Sequence, residues 1–388
     1  MVSAATKKFR VLVVDDSAFM CKVLETIFNA DNQLQVVGRA KDGREAIALA
    51  ESLKPDVITM DLNMPHMDGL QATASIMTTN PRPIVVVSSE SKEGAASTLK
   101  ALELGAIDFV TKPSAGIDLD MQSVKEELLR KVRIAAKVRV VRTASRLANA
   151  INTRGVSPLA QPGNASVPGS ASRQDSAGTT RSSASESGDL RFPIVVLGAS
   201  TGGPATVMRL APGFTRDLPA AVILVQHMPA AFTTQYALQL TEFTSIRVKE
   251  AEPNESILPG TFYICPGGQH LRISPGGRVE LDANSGRIEG YLPNIDVTME
   301  SVAAFAGPMS IGVVLTGMGS DGARGARAIK HSGGFVIAQD EATSVIFGMP
   351  AEAIKAGIVD HVLGIDEIYP AIEKRVLGLS KAAPVGAR

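Results

Sequence analysis

Short apolar runs alternate with amphipathic stretches over the first third of the chain. The apolar runs predict strands near residues 9–14, 34–38, 56–60, 83–88 and 107–110. The amphipathic stretches predict helices near residues 17–30, 43–52, 69–79, 92–104 and 121–140. Because strands and helices alternate regularly, the pattern indicates a doubly wound parallel sheet. We therefore expect one α/β domain over residues 8–125.

A second α/β pattern begins at Phe192 and predicts another domain over residues 192–378. Its strands are expected near residues 193–198, 221–226, 261–264, 270–273, 278–281, 311–315 and 334–338. Its helices are expected near residues 204–211, 230–241, 296–305, 322–332 and 350–357.

The segment between the two patterns has a different composition. From about residue 142 to 191 it is rich in Ser, Ala, Gly, Thr, Pro and Arg and contains no aromatic residue. Such a segment cannot bury enough apolar surface to offset the entropy lost on ordering. We expect residues 126–191 to form a helical extension followed by a flexible linker with a mean span of roughly 40 Å.

Size and composition narrow the class of protein. A chain of 388 residues favours two domains over one. Its 39 basic and 39 acidic residues give no net charge, so a nucleic-acid-binding face is not expected. No apolar run approaches the length of a membrane helix, and Asp15 interrupts the first run too early for a secretory signal. Cys21 and Cys265 are expected to be buried thiols of a cytoplasmic protein.

Polar residues follow the predicted strands of the first domain. Asp15 and Asp16 end one strand, Asp61 ends another, Ser88 ends a third, and Lys112 follows a fourth. Ligands of open parallel sheets bind at the carboxyl ends of the strands, so we expect these side chains to converge. Carboxylate ligands suit Mg²⁺, and an ammonium beside them suits a phosphoryl group. The pattern indicates that Asp61 is a phosphoryl acceptor, although each Asp alone is also a common helix cap.

The first domain resembles the response-regulator receiver domains of two-component signalling, which have a flavodoxin-like fold. The resemblance is carried by residues 13–17, 60–69, 87–89 and 109–113. It implies that a histidine kinase phosphorylates Asp61. It also implies that Mg²⁺ binds Asp16, Asp61 and the Asn63 carbonyl, with Asp15 bound through water.

The same resemblance assigns a switch to the receiver domain. Ser88 and Phe109 occupy the positions that couple phosphorylation to a change of the surface, and Lys112 contacts the phosphoryl group. Ser88 stands where many receiver domains carry threonine.

A glycine-flanked serine opens the second domain. Gly198, Ser200 and Gly202 fit the G-x-S-x-G pattern of a nucleophile elbow, in which small neighbours permit a sharp strand-to-helix turn. The alternative is a dinucleotide-binding turn, but the glycine spacing differs and the next strand does not end in an acidic residue.

A serine nucleophile requires a base and an acid that orients the base. His227 directly follows a long apolar strand and is therefore expected at the same edge of the sheet as the serine. Asp321 and Asp340 also follow strands, and spacing alone leaves both open as the acid. The N–H of Thr201, or one from the glycine-rich loop near residue 318, is available for an oxyanion.

The second domain resembles the chemotaxis-specific protein-glutamate methylesterases, which place a Rossmann-like serine hydrolase domain after a receiver domain and linker. The resemblance is carried by residues 198–204, 226–229, 265–271, 316–322 and 339–344. It implies a triad of Ser200, His227 and Asp321, with the N–H groups of Thr201 and Met318 as the oxyanion hole. No cofactor is expected for ester hydrolysis.

The family resemblance also implies substrates, partners and control. The substrates are glutamate methyl esters, and certain glutamines, on cytoplasmic helices of chemoreceptors, and the phosphodonor is a histidine kinase. The unphosphorylated receiver domain covers the catalytic cleft, and phosphorylation of Asp61 loosens that docking. A monomer is expected, without membrane insertion. The contrasting hypothesis is a receiver domain joined to a non-catalytic binding module.

Overall fold

The structure, a computed structural model, describes residues 7–89, 91–112, 118–138 and 192–382. It consists of two doubly wound α/β domains, as the alternation of strands and helices predicts. The predicted linker lies largely outside the described residues. Within the described ranges, no helix combines the length and the apolar character that a membrane span requires.

The N-terminal domain is built on five parallel strands in the order β2-β1-β3-β4-β5. Along the chain its elements are β1 (Phe9–Val14), α1 (Ala18–Asn29), β2 (Leu34–Ala40), α2 (Gly43–Leu53), β3 (Val57–Met60), α3 (Gly69–Thr79), β4 (Ile84–Ser88), α4 (Lys92–Glu103), β5 (Asp108–Thr111) and α5 (Asp118–Ala135). Helices α1 and α5 cover one face and α2 to α4 cover the other. The proposed boundary at residue 125 falls inside α5.

The C-terminal domain is built on seven parallel strands in the order β14-β13-β12-β6-β7-β9-β8. Its elements are β6 (Ile194–Ala199), α6 (Gly203–Leu210), β7 (Ala221–Gln226), α7 (Ala230–Leu240), β8 (Arg247–Glu250), β9 (Thr261–Ile264), β10 (His270–Ile273), β11 (Val279–Asp282), α8 (Ile295–Ala306), β12 (Ser310–Val314), α9 (Ala323–His331), β13 (Phe335–Gln339), α10 (Met349–Lys355), β14 (His361–Leu363) and α11 (Ile365–Ala382). Strands β10 and β11 form a separate antiparallel pair.

The central strands of both sheets are buried on both faces, which explains their continuous apolar runs. In the C-terminal domain the chain proceeds outwards from β6 in one direction through β7 and in the other through β12. This change of direction leaves a crevice beyond the carboxyl ends of β6 and β12, where ligands of such sheets bind.

Three elements of the C-terminal domain were not predicted from the sequence. Strand β8 is a largely polar edge strand, and β14 is a three-residue edge strand. Helix α11 contains Pro370, a residue that normally argues against a helix interior. Cys21 and Cys265 are buried, as predicted.

Candidate active site

The acidic residues predicted to bind a cation come together in the N-terminal domain. Ligand oxygens of Asp15, Asp16 and Asp61 all lie within 4.8 Å of one another. Asp15 and Asp61 are buried, whereas Asp16 is exposed. Lys112 Nζ lies 2.9 Å from a carboxylate oxygen of Asp15 and 2.9 Å from one of Asp61. The donor set, all carboxylate oxygen and partly open to solvent, fits a divalent cation such as Mg²⁺.

Burial and charge have opposite effects at this site. Burial raises the pKa of Asp61 above its usual range, and the charge of Asp15 adds to that effect, while Lys112 opposes it. Burial disfavours the charged form of Lys112, but its bonds to Asp15 and Asp61 outweigh burial and raise its pKa. Lys112 therefore remains a cation, and a further positive charge would relieve the repulsion between the acids.

The other residues predicted in the N-terminal domain occupy distinct positions. Ser88 is buried at the end of β4, and its hydroxyl donates to the Gly94 carbonyl across 3.3 Å. Phe109 is buried in β5. Asn63 is exposed in the loop that follows Asp61. Ser88 therefore lies at the same end of the sheet as the acidic cluster. Phe109 pairs with β4 two residues before Ser88.

Ser200 lies at the tight connection between β6 and α6. Gly202 has a φ of 77°, a conformation that favours glycine, and turns the chain into the helix. A Cβ on Gly317, in the loop after β12, would lie 2.8 Å from the Cβ of Ser200 and 2.3 Å from Met349 Sδ. Glycine at position 317 therefore allows this loop to approach the serine closely.

His227 emerges beside Ser200. Strands β6 and β7 are parallel neighbours in which Ala199 pairs with Gln226, so the next residue of each strand leaves the sheet at the same level. Adjacent strands lie about 5 Å apart. The His227 N–H donates to the Ala199 carbonyl at 3.1 Å, and Gln226 Nε2 donates to the Ser200 carbonyl at 2.9 Å. The predicted base and nucleophile are thus fixed on adjoining strand ends.

Asp321, rather than Asp340, contacts the imidazole. His227 Nε2 lies 2.7 Å from Asp321 Oδ2. His227 Nδ1 is buried and has no hydrogen-bond partner among the described residues. Asp340 instead accepts from the N–H of Thr343 at 2.9 Å, within its own loop. The structure therefore favours Asp321 of the two acids that the spacing left open.

The two candidate oxyanion donors flank the serine. Thr201 follows Ser200 directly, and Met318 lies in the loop whose Thr316 carbonyl accepts from the Ser200 N–H at 3.0 Å. Among the backbone hydrogen bonds of the described residues, none uses the N–H of Thr201 or of Met318. Both donors are therefore available to a ligand.

Comparison with known proteins identifies the family. Residues 195–372 match the CheB methylesterase family, and residues 11–123 match the response regulator receiver domain. The protein-glutamate methylesterase/protein-glutamine glutaminase of Pyrococcus horikoshii is 41% identical over 375 residues, covering 95% of this chain and 94% of its own. The chain belongs to this methylesterase family.

Other relatives give the same family. The methylesterase/glutaminase of Halalkalibacterium halodurans is 39% identical over 371 residues, covering 95% of this chain and 98% of its own. The solved catalytic domain of the Thermotoga maritima CheB methylesterase covers 47% of this chain and 98% of its own length, with 40% identity and a TM-score of 0.46. The two family matches identify the N-terminal domain as the receiver domain and the C-terminal domain as the methylesterase domain.

The receiver domain contacts the methylesterase domain beside Ser200. Thr201 Oγ1 donates to Asp108 Oδ2 at 2.7 Å, and Lys131 Nζ lies 3.0 Å from Asp108 Oδ1. The ring of Phe109 packs against that of Phe232 with centroids 4.3 Å apart. The predicted switch residue and the residue after the predicted nucleophile therefore both take part in the contact between the domains.

A cavity of about 540 Å³ lies between the two domains. From the methylesterase domain it is lined by Ser200, Thr201, His227 and the loop containing Tyr291. From the receiver domain it is lined by residues that include Asp108, Arg130 and Lys131. Helix α5 of the receiver domain thus forms one wall of the cleft that contains the serine.

Sequence reasoning missed Tyr291. Its ring stacks on His227 with centroids 4.0 Å apart and an interplanar angle of 11°. Its hydroxyl donates to the Met318 carbonyl at 3.3 Å. Tyr291 lies in an irregular loop without periodicity. It can therefore be identified only from the structure, which places its ring against His227.

Proposed function

We propose that this protein hydrolyses glutamate methyl esters on chemoreceptors, releasing methanol, and deamidates receptor glutamines. The observation that carries the proposal is the position of His227, which follows the strand next to the one that Ser200 follows. One ring nitrogen of His227 bonds to Asp321, and the second has no hydrogen-bond partner among the described residues. Membership of the methylesterase family supports the same activity.

The proposed reaction uses Ser200 as nucleophile. His227 Nδ1 accepts the serine proton as Oγ attacks the γ-carbonyl, and Asp321 stabilises the imidazolium. The N–H groups of Thr201 and Met318 bind the oxyanion. His227 then protonates the departing methoxide, which leaves as methanol, or the amide nitrogen of a glutamine, which leaves as ammonia. Water, activated by His227, hydrolyses the acyl-enzyme and restores Ser200.

The proposed control begins at Asp61, which accepts a phosphoryl group from a histidine kinase. Asp16, Asp61 and the Asn63 carbonyl would hold Mg²⁺, with Asp15 in its outer sphere. Bound Mg²⁺ supplies charge neutralisation for the phosphoryl oxygens. Lys112, whose charge is maintained by Asp15 and Asp61, contacts a phosphoryl oxygen in the same pocket.

Docking of the receiver domain supplies the inhibition. Helix α5 occupies the open side of the cleft that a receptor helix must approach, and Asp108 binds the residue after the nucleophile. Phosphorylation, sensed through Ser88 and Phe109, loosens this contact. Chemoreceptor helices and a kinase are the partners that this scheme requires. The monomeric state and the cytoplasmic location remain predictions.

The decisive experiment measures methanol release from methylated receptor membranes with and without a small-molecule phosphodonor. We expect Ser200→Ala to reduce release by several orders of magnitude in both conditions. Asp61→Asn should keep the basal rate and lose the stimulation. Near-normal turnover by Ser200→Ala would refute the proposed triad. Stimulation that persists in Asp61→Asn would refute the proposed control. Labelling of Ser200 by a serine-directed phosphonate separates this enzyme from a non-catalytic binding module.

A further inference from the structure

A second buried carboxylate, that of Asp296, lies next to the proposed catalytic acid. Asp296 is 2% exposed and Asp321 is fully buried. Asp296 Oδ1 accepts from the N–H of Gly322 at 2.9 Å and from that of Gly325 at 2.6 Å. These two donors lie directly after Asp321, at the start of α9.

The two carboxylates cap each other's helices. Asp321 precedes α9 but accepts from the N–H groups of Ile295 (2.8 Å) and Asp296 (2.9 Å), at the start of α8. Asp296 belongs to α8 but accepts from the start of α9. Four hydrogen bonds therefore join the turn that holds Asp321 to the first turn of α8. Each carboxylate is held by backbone N–H groups of the turn that carries the other carboxylate.

This arrangement carries an electrostatic penalty that a simple helix cap would avoid. Burial, together with the neighbouring charge of Asp321, raises the pKa of Asp296 to about 6, against the opposing bonds from Gly322 and Gly325 and the charge of Arg324. A neutral Asn or Ser would cap α9 without adding a second buried charge. The presence of aspartate is therefore explained better by an effect on the adjacent triad than by helix capping.

We propose that Asp296 is a positioning residue for the esterase reaction. Its two bonds to the 322–325 turn fix the side chain of Asp321 against His227 Nε2. Its negative charge adds to that of Asp321 and favours the imidazolium that forms when Ser200 loses its proton. This inference rests on the proposed triad of Ser200, His227 and Asp321.

Few charged groups lie next to the side chains of Asp296 and Asp321 among the described residues. Asp296 faces Asp321 and, at 3.8 Å, Arg324 Nε. Arg324 is shared with Glu300 and Glu289, which are partly exposed and bind it from the solvent side. The imidazole of His227 faces Asp321 and the ring of Tyr291.

The test compares Asp296→Asn and Asp296→Ala with a matched control, Asp360→Asn. The amide retains an oxygen acceptor for the turn and removes the charge, whereas alanine removes both. Asp360 also accepts a backbone N–H, that of Val336 at 2.8 Å, and contacts none of the triad residues. Steady-state kinetics of methanol release, recorded from pH 5 to 9 with phosphodonor present, give kcat, KM and the apparent pKa of the catalytic base.

We expect Asp296→Asn to lower kcat by about tenfold, the scale of one interaction with a charged group, at unchanged KM. The apparent pKa of the base should fall, because the imidazolium loses a neighbouring negative charge. Asp296→Ala should lower kcat further, and Asp360→Asn should match the wild type. Thermal unfolding and phosphorylation of Asp61 report whether each variant is folded.

The proposal is overturned if Asp296→Asn keeps both the wild-type kcat and the wild-type pKa of the base. It is also overturned if kcat falls only in parallel with the unfolding temperature, while that pKa stays constant. Failure of the proposed function gives a different result, namely methanol release that persists in Ser200→Ala.

Discussion

Asp61 and Asp321 are both buried aspartates in loops that follow strands, and their neighbours give them different chemistry. Asp321 accepts two backbone N–H groups and contacts an imidazole, so its charge is stabilised by fixed donors. Asp61 accepts one N–H, shares a lysine with Asp15 and lies beside other carboxylates. The first arrangement holds an anion in place, whereas the second favours the arrival of a cation and a phosphoryl group.

The raised pKa of Asp61 predicts an effect on stability. Because the folded protein holds this proton more tightly than the unfolded chain, the free energy of unfolding falls as the pH rises through the raised pKa. At neutral pH without Mg²⁺, Asp61→Asn should therefore raise the unfolding temperature of the receiver domain. Added Mg²⁺ should stabilise the wild type more than this variant. Differential scanning calorimetry measures both effects.

The control for that experiment is Asp16→Asn, since Asp16 belongs to the same cluster but is exposed. It should change the Mg²⁺-free unfolding temperature less than Asp61→Asn does. A lower unfolding temperature in Asp61→Asn without Mg²⁺ would contradict the predicted cost of burying this charge.

Tyr291 predicts an effect on catalysis. Its stacked ring covers one face of His227 and limits the orientation of the imidazole. Tyr291→Ala should lower kcat/KM by about tenfold, whereas Tyr291→Phe, which keeps the ring and loses only the bond to Met318, should stay within about threefold of the wild type. Methanol-release kinetics measure both values. Equal activity of the alanine and wild-type enzymes would refute a role for the ring.

At the scale of single residues, the sequence predicted the polar groups that follow regular strands. Ser200, His227 and Asp321 are of this kind, because parallel strands bring their carboxyl ends to one edge. Tyr291 and Asp296 were not predicted. One lies in an irregular loop and the other in the first turn of a helix, so their positions depend on packing between elements distant in sequence.

At the scale of elements, the receiver domain uses β5, α4 and α5 to contact the methylesterase domain. Asp108 and Phe109 of β5 contact Thr201 and Phe232. Helix α4 meets α7, where Gln239 Nε2 donates to Glu103 Oε2 at 3.5 Å. Strand β5, which carries the predicted switch residue Phe109, is therefore part of the contact between the domains. A change at Asp61 would have only a short distance to travel to the cleft.

This contact predicts that Asp108→Asn raises the basal esterase activity. The variant loses the charged acceptor for Thr201, while Lys131 keeps its bonds to the Phe109 carbonyl and Glu127. We expect an increase of up to about tenfold without phosphodonor and little change in the fully phosphorylated enzyme. The control is Asp56→Asn, because the Asp56 carboxylate also accepts a hydrogen bond within the receiver domain, from the backbone N–H of Arg10. An unchanged basal rate in Asp108→Asn would show that this bond does not restrain the enzyme.

The elements themselves were predicted where they are buried and regular. Central strands are continuous apolar runs, and their parallel arrangement follows from the alternation with helices, whereas their order in the sheet was not predicted. The edge strand β8 carries too little apolar character to be recognised, and the edge strand β14 is too short. Helix α11 was missed because it contains Pro370. The hydrogen bond between Asp108 and Thr201 joins residues 93 positions apart and leaves no local pattern.

At the scale of the whole molecule, the proposed control makes substrate and receiver domain compete for the same cleft. Equilibrium coupling between two sites is reciprocal, so receptor binding should favour the undocked receiver domain as phosphorylation does. We therefore expect a soluble receptor fragment to increase the phosphorylation of Asp61. The Ser200→Ala variant is used because it cannot hydrolyse the methyl esters of the fragment. Phosphoprotein yield from a small-molecule phosphodonor with Mg²⁺ measures this effect.

The double variant Ser200→Ala/Asp108→Asn serves as the comparison, because its docking is already weakened. It should respond less to the receptor fragment. Identical yields with and without the fragment in Ser200→Ala would mean that the two binding events are independent.

Thr201 divides two tasks between its atoms. In the proposed reaction its backbone amide binds the oxyanion, while its side-chain hydroxyl donates to Asp108 of the receiver domain. An alanine or valine here would preserve the amide and abolish the hydrogen bond to the receiver domain, so we expect it to raise the activity at rest while leaving the proposed chemistry intact. A substitution at this one position would therefore adjust the resting activity without altering the nucleophile, the base or the acid.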